Sequence, residues 1–106
     1  MSTPRKMEQL YVFISRMLNN PPPLKASEEE MAKQHHAYLQ DLLDRKILMG
    51  SGSAKDETGK RHAGGVVIIR AKSVAEAQAI AEKEPYCREG QRRVEILPWQ
   101  RTWFGD

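Results

Sequence analysis

Two titratable residues of this 106-residue chain occupy positions where the helical spacing predicts apolar side chains. His35 lies four residues after Met31 and three before Tyr38, so it falls inside the apolar stripe of a predicted helix. Glu84 lies four residues after Ile80 and continues the stripe of a second predicted helix at its C-terminal end, where the helix dipole opposes a carboxylate. A carboxylate beside an imidazole fixes its tautomer and stabilises its charged form, so His35 and Glu84 are the candidate catalytic residues.

Each of these residues also has a structural interpretation. A single histidine on an apolar stripe is more often a hydrogen-bonded core residue than a catalytic one. Glu84 could equally be a solvated helix end. His36 is rotated by about 100° from His35 and is expected to face solvent or the edge of the stripe. The catalytic pair is therefore a hypothesis that depends on the two side chains meeting.

Five further residues are candidates for ligand binding. Ser51 and Ser53 follow a short predicted strand and could hydrogen-bond a ligand, although hydroxyls in Gly-Ser segments are usually turn formers. Neither serine stands in a Gly-x-Ser-x-Gly nucleophile elbow. Tyr11, Phe13 and Tyr86 are aromatic residues that could shape an apolar pocket for a ring-like organic molecule.

The sequence gives no sign of a metal or cofactor. Its three histidines form no HxxxH pattern and have no cysteine pair beside them, which argues against zinc. Gly50-x-Gly52 is too short for a phosphate-binding loop. The single cysteine, Cys87, excludes an internal disulfide and fits a reducing compartment, so we expect a cytoplasmic protein. We expect neither a cofactor nor a metal.

Charge and hydropathy argue against two classes of partner. Seventeen basic and fourteen acidic residues leave a net charge of +3, spread along the chain, which is too weak a pattern to predict nucleic-acid binding. No run approaches the roughly 20 apolar residues that cross a bilayer. The predicted partners therefore include neither nucleic acid nor a membrane.

The pattern of residues predicts the element order βαββαβ within one domain, residues 1–106, with a core at about 8–99 and an aromatic tail at 100–106. The predicted strands and helices are strand 8–15, helix 28–45 capped by Ser27, strand 47–49 ending in 50–53, strand 66–71, a helix opened by Ser73 and ended by Pro85, and strand 93–97. The polar segment 54–63 is expected to be a mobile hairpin loop.

This order predicts an α+β, ferredoxin-like fold, an antiparallel sheet with two helices on one face. Alternate residues of strand 8–15 are apolar on both faces, with Tyr11 and Phe13 on one and Leu10, Val12 and Ile14 on the other. Nothing else in the chain would cover the face away from the helices. A second copy would do so, and we expect a homodimer with sheets packed face to face.

Several short motifs, in this order and spacing, carry a resemblance to a known family. They are His35-x-x-x-Leu39-x-x-Leu42, Ile47-Leu48-x-x-Ser51-Gly52, Gly65-Val66-Val67-Ile68-Ile69-x-Ala71-x-Ser73-x-x-Glu76-Ala77, Glu84-Pro85-Tyr86-x-x-x-Gly90 and Val94-Glu95-Ile96-x-Pro98-Trp99. Together they cover nearly the whole chain, which resembles the YCII-related (YciI-like) family.

The resemblance implies a ferredoxin-like chain that dimerises into an α/β barrel and holds a His–Asp pair in a pocket. The family histidine matches His35, and the aspartate of its Asp-Pro motif falls on Glu84, which is one methylene longer. The usual Gly-Pro after the second strand is Gly52-Ser53 here. Most members have no known activity, and the family includes a dehydrochlorinase of chlorinated hydroxyquinols.

Three functional hypotheses follow. The first is a small-molecule lyase or isomerase that uses His35 and Glu84 as an acid–base pair in a dimer-associated pocket. The second is a non-catalytic ligand-binding or dimer module in which the same pair is structural. The third, an RNA-recognition-like binder, is weakest, because such domains stack bases on aromatics of a strand, and 65–71 contains none.

Overall fold

The computed structural model describes residues 7–105, so both ends of the predicted domain 1–106 lie outside the described residues. Seven elements follow one another in this part of the chain. They are β1 (Glu8–Met17), α1 (Glu28–Asp44), β2 (Leu48–Lys55), β3 (Arg61–Arg70), α2 (Val74–Glu82), α3 (Pro85–Arg88) and β4 (Arg92–Arg101). Apart from the single-turn α3, this is the predicted βαββαβ order.

The four strands form one antiparallel sheet in the order β2-β3-β1-β4. The β-branched and aromatic residues of β1 suit a central strand, since they pack on both faces of a pleated sheet. Tyr11 lies opposite Ile69 of β3 and Pro98 of β4 in the hydrogen-bonded register. This strand order, with both long helices on one face, confirms the α+β, ferredoxin-like fold.

The predicted serine caps begin both long helices. The hydroxyl of Ser27 accepts the N–H of Glu30 at 3.1 Å, and that of Ser73 accepts the N–H of Glu76 at 3.1 Å. Each cap satisfies an amide that has no partner inside its own helix. The helix predicted over 28–45 is therefore close to the observed α1, which has Arg45 as its C-cap.

The hairpin between β2 and β3 differs from the prediction of a mobile loop over 54–63. Both strands extend into this segment, and only a tight turn separates them. Asp56 organises that turn, because its Oδ1 accepts the N–H groups of Thr58 and Lys60 at 2.9 and 3.1 Å. An aspartate that bonds amides just ahead of it replaces a long loop by an ordered turn. Strand β4 is also longer than predicted and includes Pro98 and Trp99.

The core lies between the helices and the inner face of the sheet. Tyr11 and Phe13 of β1 are 5% and 4% exposed and pack there with Leu42 of α1 and with Ala77 and Ala81 of α2. The small alanines let α2 approach the sheet closely. Tyr11 and Phe13 thus face the helices, and the opposite set of β1 side chains lies on the outer face.

The outer face of the sheet has no helix of the described chain packed on it. Val12 and Ile14 are half-buried there. Leu97 and Trp99 of β4 lie opposite Val12 and Leu10 of β1 and are 42% and 43% exposed. No described helix is long and apolar enough to span a bilayer.

Candidate active site

A cavity of about 390 Å³ lies between the helix layer and the inner face of the sheet. Helix α1, the end of α2 and helix α3 form one wall, and all four strands contribute residues to the opposite side. Its volume falls within the range of small-molecule sites, roughly 300–1,000 Å³.

His35 and Glu84 meet in the wall of this cavity. The Nδ1 atom of His35 lies 2.8 Å from Oε1 of Glu84, although the two residues are 49 positions apart in the chain. The side chains are 25% and 11% exposed, respectively. The contact joins α1 to the segment between α2 and α3 and leaves part of the imidazole accessible.

The local structure around Glu84 differs from the prediction. Glu84 was expected at the C-terminal end of the second helix, but α2 ends at Glu82 and Lys83 is its C-cap. Glu84 has extended dihedral angles and is the N-cap of α3, with Pro85 in the first helical position. Its Oε2 accepts the N–H of Cys87 at 2.8 Å. A proline at this position begins a new helix as readily as it ends the old one, and the carboxylate therefore sits at the favourable end of a helix.

These contacts keep Glu84 ionised. Burial raises the pKa of this carboxyl, but the hydrogen bonds from His35 and from the backbone amides of Cys87 and Tyr86 outweigh burial and lower the pKa below its ordinary value. An ionised Glu84 accepts a hydrogen bond from the protonated Nδ1 of His35. The neutral ring of His35 therefore carries its lone pair on Nε2. No hydrogen bond within the described chain engages Nε2 of His35.

Aromatic residues hold the pair in place. The ring of Tyr86 lies edge-on to the imidazole of His35, with centroids 5.8 Å apart. Tyr38, one turn after His35 on α1, donates its hydroxyl proton to the carbonyl of Ile80 at 2.7 Å and so ties α1 to α2. Burial, and secondly the charge of Glu84, raises the pKa of Tyr38, so its hydroxyl remains a donor in this bond.

Cys87 lines the same cavity but is a poor nucleophile. Burial is the main cause that raises the pKa of this thiol to about 12, and the negative charge of Glu84 adds to it. A thiol must ionise to attack, so Cys87 stays protonated at neutral pH.

Small polar residues form part of the sheet side of the cavity. In one row across the sheet, Ser15 of β1 lies opposite Gly65 of β3, which lies opposite Ser53 of β2. Residues directly opposite each other in a sheet share a face, so the two hydroxyls flank a glycine. In the adjacent row, Phe13 and Ser51 lie on either side of Val67. Gly65 has no side chain, and a Cβ there would lie 3.1 Å from the carbonyl oxygen of Gly52.

Two arginines border the cavity. Arg92, at the start of β4, places its guanidinium carbon 4.3 Å from the centre of the Tyr86 ring, a cation–π contact. Arg61, at the start of β3, donates at 3.5 Å to the carbonyl of Gly64. Both side chains bring positive charge to the cavity. Glu84, the carboxylate among its described lining residues, already bonds His35 and the N–H of Cys87.

The sequence-predicted site residues are mostly brought together by the fold. Those that line the cavity are His35, Glu84, Ser51, Ser53, Phe13 and Tyr86. Tyr11 is not among the lining residues, because it lies two residues before Phe13 and is covered by the helix layer in the core. Two further lining residues, Ser15 and Arg92, were not predicted. The strand pattern could have placed Ser15 on the face of Phe13, whereas nothing in the local sequence distinguishes Arg92 from Arg93.

The described residues offer no evident metal centre. In residues 7–105, no three side chains among histidine, cysteine, aspartate and glutamate lie close enough together to hold a metal ion.

Comparison with known proteins bears on the family and the fold. The family model of the YCII-related domain matches residues 10–100. Among solved structures, the chain is similar to 5-chloro-2-hydroxyhydroquinone dehydrochlorinase from Burkholderia phenoliruptrix AC1100, determined in complex with 2,5-dihydroxybenzoquinone. The match has a TM-score of 0.63 and 22% sequence identity, and it covers 85% of this chain and 92% of the other. At this identity the likeness shows a shared fold. No curated protein matches the chain at the sequence level.

Proposed function

The chain belongs to the YCII-related domain family, and from this premise we propose that it is a small-molecule lyase or isomerase in which His35 transfers a proton and Glu84 orients His35. The observation that carries the proposal is the 2.8 Å contact between these residues in the wall of a cavity large enough for a ring-sized molecule. A buried structural pair would not need such a cavity beside it.

The pair is suited to general acid–base catalysis. Ionised Glu84 holds the proton of Nδ1, so Nε2 of His35 is free to take a proton from a substrate. As the imidazole becomes charged, the carboxylate stabilises it, and the same Nε2 can later return the proton. In an elimination, the base removes a proton while the leaving group departs with its bonding electron pair. In an isomerisation, the proton returns to another atom of the substrate.

The lining of the cavity suits a cyclic substrate that has both apolar and hydroxyl groups. Phe13 and Tyr86 supply apolar contact surface, while Ser51 and Ser53 offer hydroxyls on the sheet side. The related dehydrochlorinase has a chlorinated hydroxyhydroquinone as its named substrate and binds a dihydroxybenzoquinone. We extend to this chain the general class, a hydroxylated six-membered ring, and the type of reaction, an elimination or proton shift.

The test is a direct assay with a matched pair of histidine variants. Purified protein is incubated with 5-chloro-2-hydroxyhydroquinone and a panel of hydroxylated rings, and turnover is followed by chloride release and ultraviolet absorbance. His35→Gln should lower kcat by roughly a hundredfold or more, since general acid–base catalysis contributes about 10²–10⁴-fold. His62→Gln is the control, because His62 is exposed and pairs with Asp56 in the β2–β3 turn region.

Equal activity in the wild type and His35→Gln on a substrate that the wild type turns over would overturn the catalytic role. If circular dichroism shows that His35→Gln does not fold, Glu84→Gln is assayed in its place. This variant keeps the imidazole of His35 and removes the charge of its partner, so its turnover should also fall.

A second candidate is a ligand-binding module without catalysis. It is favoured by the capping of α3 by Glu84, which gives the carboxylate a structural reason to be present. In that case, His35→Gln would bind the ring-like ligands as the wild type does, and no member of the panel would be turned over.

The proposal includes a homodimer that packs the outer faces of two sheets together. Leu97 and Trp99 are large, apolar and more than 40% exposed on this face, and half-buried Val12 and Ile14 lie beside them. Apolar area of this kind is often covered in a protein–protein contact. The cavity lies on the opposite side of the sheet, so such a dimer leaves it accessible.

A further inference from the structure

We propose that the cavity binds a ring carrying an anionic oxygen, either an ionised hydroxyl or a carboxylate, and that Arg92 and Ser15 bind that oxygen. The inference rests on the proposed function for the identity of the site and adds the chemical class of its ligand. It depends on two buried polar atoms that have no hydrogen-bond partner among residues 7–105.

The first observation is the pairing state of these two atoms. Oγ of Ser15 and Nε of Arg92 are both buried, and neither has a hydrogen-bond partner among the residues that the structure describes. Buried polar groups in folded proteins are nearly always paired, because leaving one unpaired sacrifices its bond with water. Ser15 and Arg92 both line the cavity, so a ligand bound there is the candidate partner of the two atoms.

The second observation is that the two residues are neighbours. Ser15 lies opposite Val94 in the β1–β4 register, and Arg92 is two residues before Val94 on the same face. Diagonal neighbours of this kind have Cα atoms roughly 7–8 Å apart, within reach of an arginine side chain. A single ligand oxygen can therefore accept from Nε of Arg92 and from the hydroxyl of Ser15.

The third observation is charge. The charged groups that line the cavity in the described chain are Arg61, Arg92 and Glu84, which leaves one excess positive charge when the histidines are neutral. Glu84 uses its carboxylate oxygens for His35 and the amide of Cys87. Neither arginine has a carboxylate of the described residues within ion-pair distance. An anion would supply the missing partner.

The fourth observation is that Arg92 is held in one orientation. Its guanidinium lies over the ring of Tyr86, which also contacts His35 edge-on. A stacked guanidinium loses less conformational freedom when it binds an anion, so its donors are preorganised. The shared neighbour, Tyr86, places the anion-binding group on the same side of the cavity as the proposed base.

The experiment compares ligands that differ only in charge. Binding of 2,5-dihydroxybenzoate and of its amide, 2,5-dihydroxybenzamide, is measured by isothermal titration calorimetry near pH 7, where the carboxylate is ionised. A third probe, 2,5-dihydroxybenzoquinone, tests an ionised ring hydroxyl in place of a carboxylate. The wild type should bind the acid roughly tenfold to a hundredfold more tightly than the amide, the range expected for hydrogen bonds to a charged group.

The matched variants are Arg92→Gln and Arg93→Gln. Arg93 is the next residue of β4, and its side chain points to the opposite face of the sheet. Arg92→Gln should abolish the preference for the acid while changing the affinity for the amide by no more than about twofold. Arg92→Lys, which retains the charge, should retain part of the preference, and Ser15→Ala should weaken binding of the acid by roughly threefold to tenfold. Arg93→Gln should bind all three probes as the wild type does.

Three results would overturn the proposal. The first is equal affinity of the wild type for the acid and the amide, together with binding of the dihydroxybenzoquinone that does not depend on Arg92. The second is an equal loss in Arg92→Gln and Arg93→Gln, which would indicate general attraction by positive charge. The third is no binding of any anionic probe at millimolar concentration. If the dihydroxybenzoquinone alone shows the dependence on Arg92, the anion is an ionised hydroxyl, and if the benzoate alone shows it, the anion is a carboxylate.

The test of the anion site is independent of the test of catalysis by His35. A preference for anions that persists in His35→Gln, in a protein that turns over none of the panel, would support the anion site and contradict the proposed function. Loss of turnover in His35→Gln, in a protein without any preference for anions, would support the proposed function and contradict the anion site.

Discussion

Glu84 binds His35 through one carboxylate oxygen and begins helix α3 with the other. Oε1 lies 2.8 Å from Nδ1 of His35, and Oε2 accepts the N–H of Cys87 at 2.8 Å. The same carboxylate therefore orients the candidate base and fixes the backbone that carries Tyr86 and Cys87 along the cavity. This double role means that changes at Glu84 affect stability and activity together, and the two effects must be measured separately.

The stability of the protein should depend on the charge of Glu84. Its pKa lies below the ordinary value of 4.5 in the folded state, so its contribution is fully present above that value and is lost as the pH falls through the lower folded pKa. Glu84→Gln should lower the free energy of unfolding by about 1–3 kcal/mol at pH 7. The difference from the wild type should shrink below about pH 4. Urea denaturation at a series of pH values measures both quantities.

The control for this prediction is Glu82→Gln, two residues earlier. Glu82 is exposed and accepts from Gln78 within α2. Its replacement should cost less than about 0.5 kcal/mol, as expected for a surface site. A difference between Glu84→Gln and the wild type that stays constant between pH 3 and pH 7 would contradict a charge-dependent role for Glu84.

The hydroxyl of Tyr38 should contribute to stability by joining the two long helices. It donates to the carbonyl of Ile80 at 2.7 Å in a half-buried position. Tyr38→Phe should lower the free energy of unfolding by about 0.5–1.5 kcal/mol, because the carbonyl of Ile80 then keeps only the longer bond from the N–H of Lys83, at 3.3 Å. Tyr11→Phe is the matched control, since no hydrogen bond of the Tyr11 hydroxyl occurs within the described chain. Equal effects of the two variants in chemical denaturation would show that the bond to Ile80 contributes nothing specific.

The thiol of Cys87 should react slowly in the folded protein. Burial, and then the charge of Glu84, raises its pKa from 9.0 to about 12. At pH 8.5 the native protein should react with iodoacetamide at least roughly a hundredfold more slowly than the denatured protein, because only the thiolate reacts. Mass spectrometry of the alkylated protein over time measures both rates. Similar rates in the native and denatured states would contradict the prediction that burial and the charge of Glu84 protect the thiol.

Dimerisation, if it uses the outer sheet face, should be sensitive to charge at Leu97. Leu97 is 42% exposed on β4. Leu97→Glu should shift the molecular mass measured by light scattering from dimer to monomer, because each copy would bury a carboxylate in the interface. Leu43→Glu is the control, since Leu43 is 53% exposed on α1, away from that face. A wild-type monomer at all concentrations, or a monomer formed equally by both variants, would contradict the outer-face dimer.

The fold could be predicted from local patterns, because these patterns report which side of each element is buried. The caps at Ser27 and Ser73 begin the helices as predicted, and the apolar residues of β1 mark a central strand. The predicted ends of the strands were less accurate. The β2–β3 hairpin is longer than predicted, because the cost of a long polar loop is avoided by the hydrogen bonds that Asp56 makes in the turn.

Helical spacing alone placed His35 on the inward face of α1, but it does not account for Glu84, which lies beyond the end of α2. Only the tertiary structure decided how they meet. The chain breaks after Glu82 and begins α3 at Pro85, which turns Glu84 from a helix-terminal residue opposed by the dipole into a cap that favours its charge. The register of the sheet likewise brought Ser15 and Arg92, 77 positions apart in the chain, into one cavity. Contacts between distant segments depend on strand pairing and helix packing, and no local pattern specifies them.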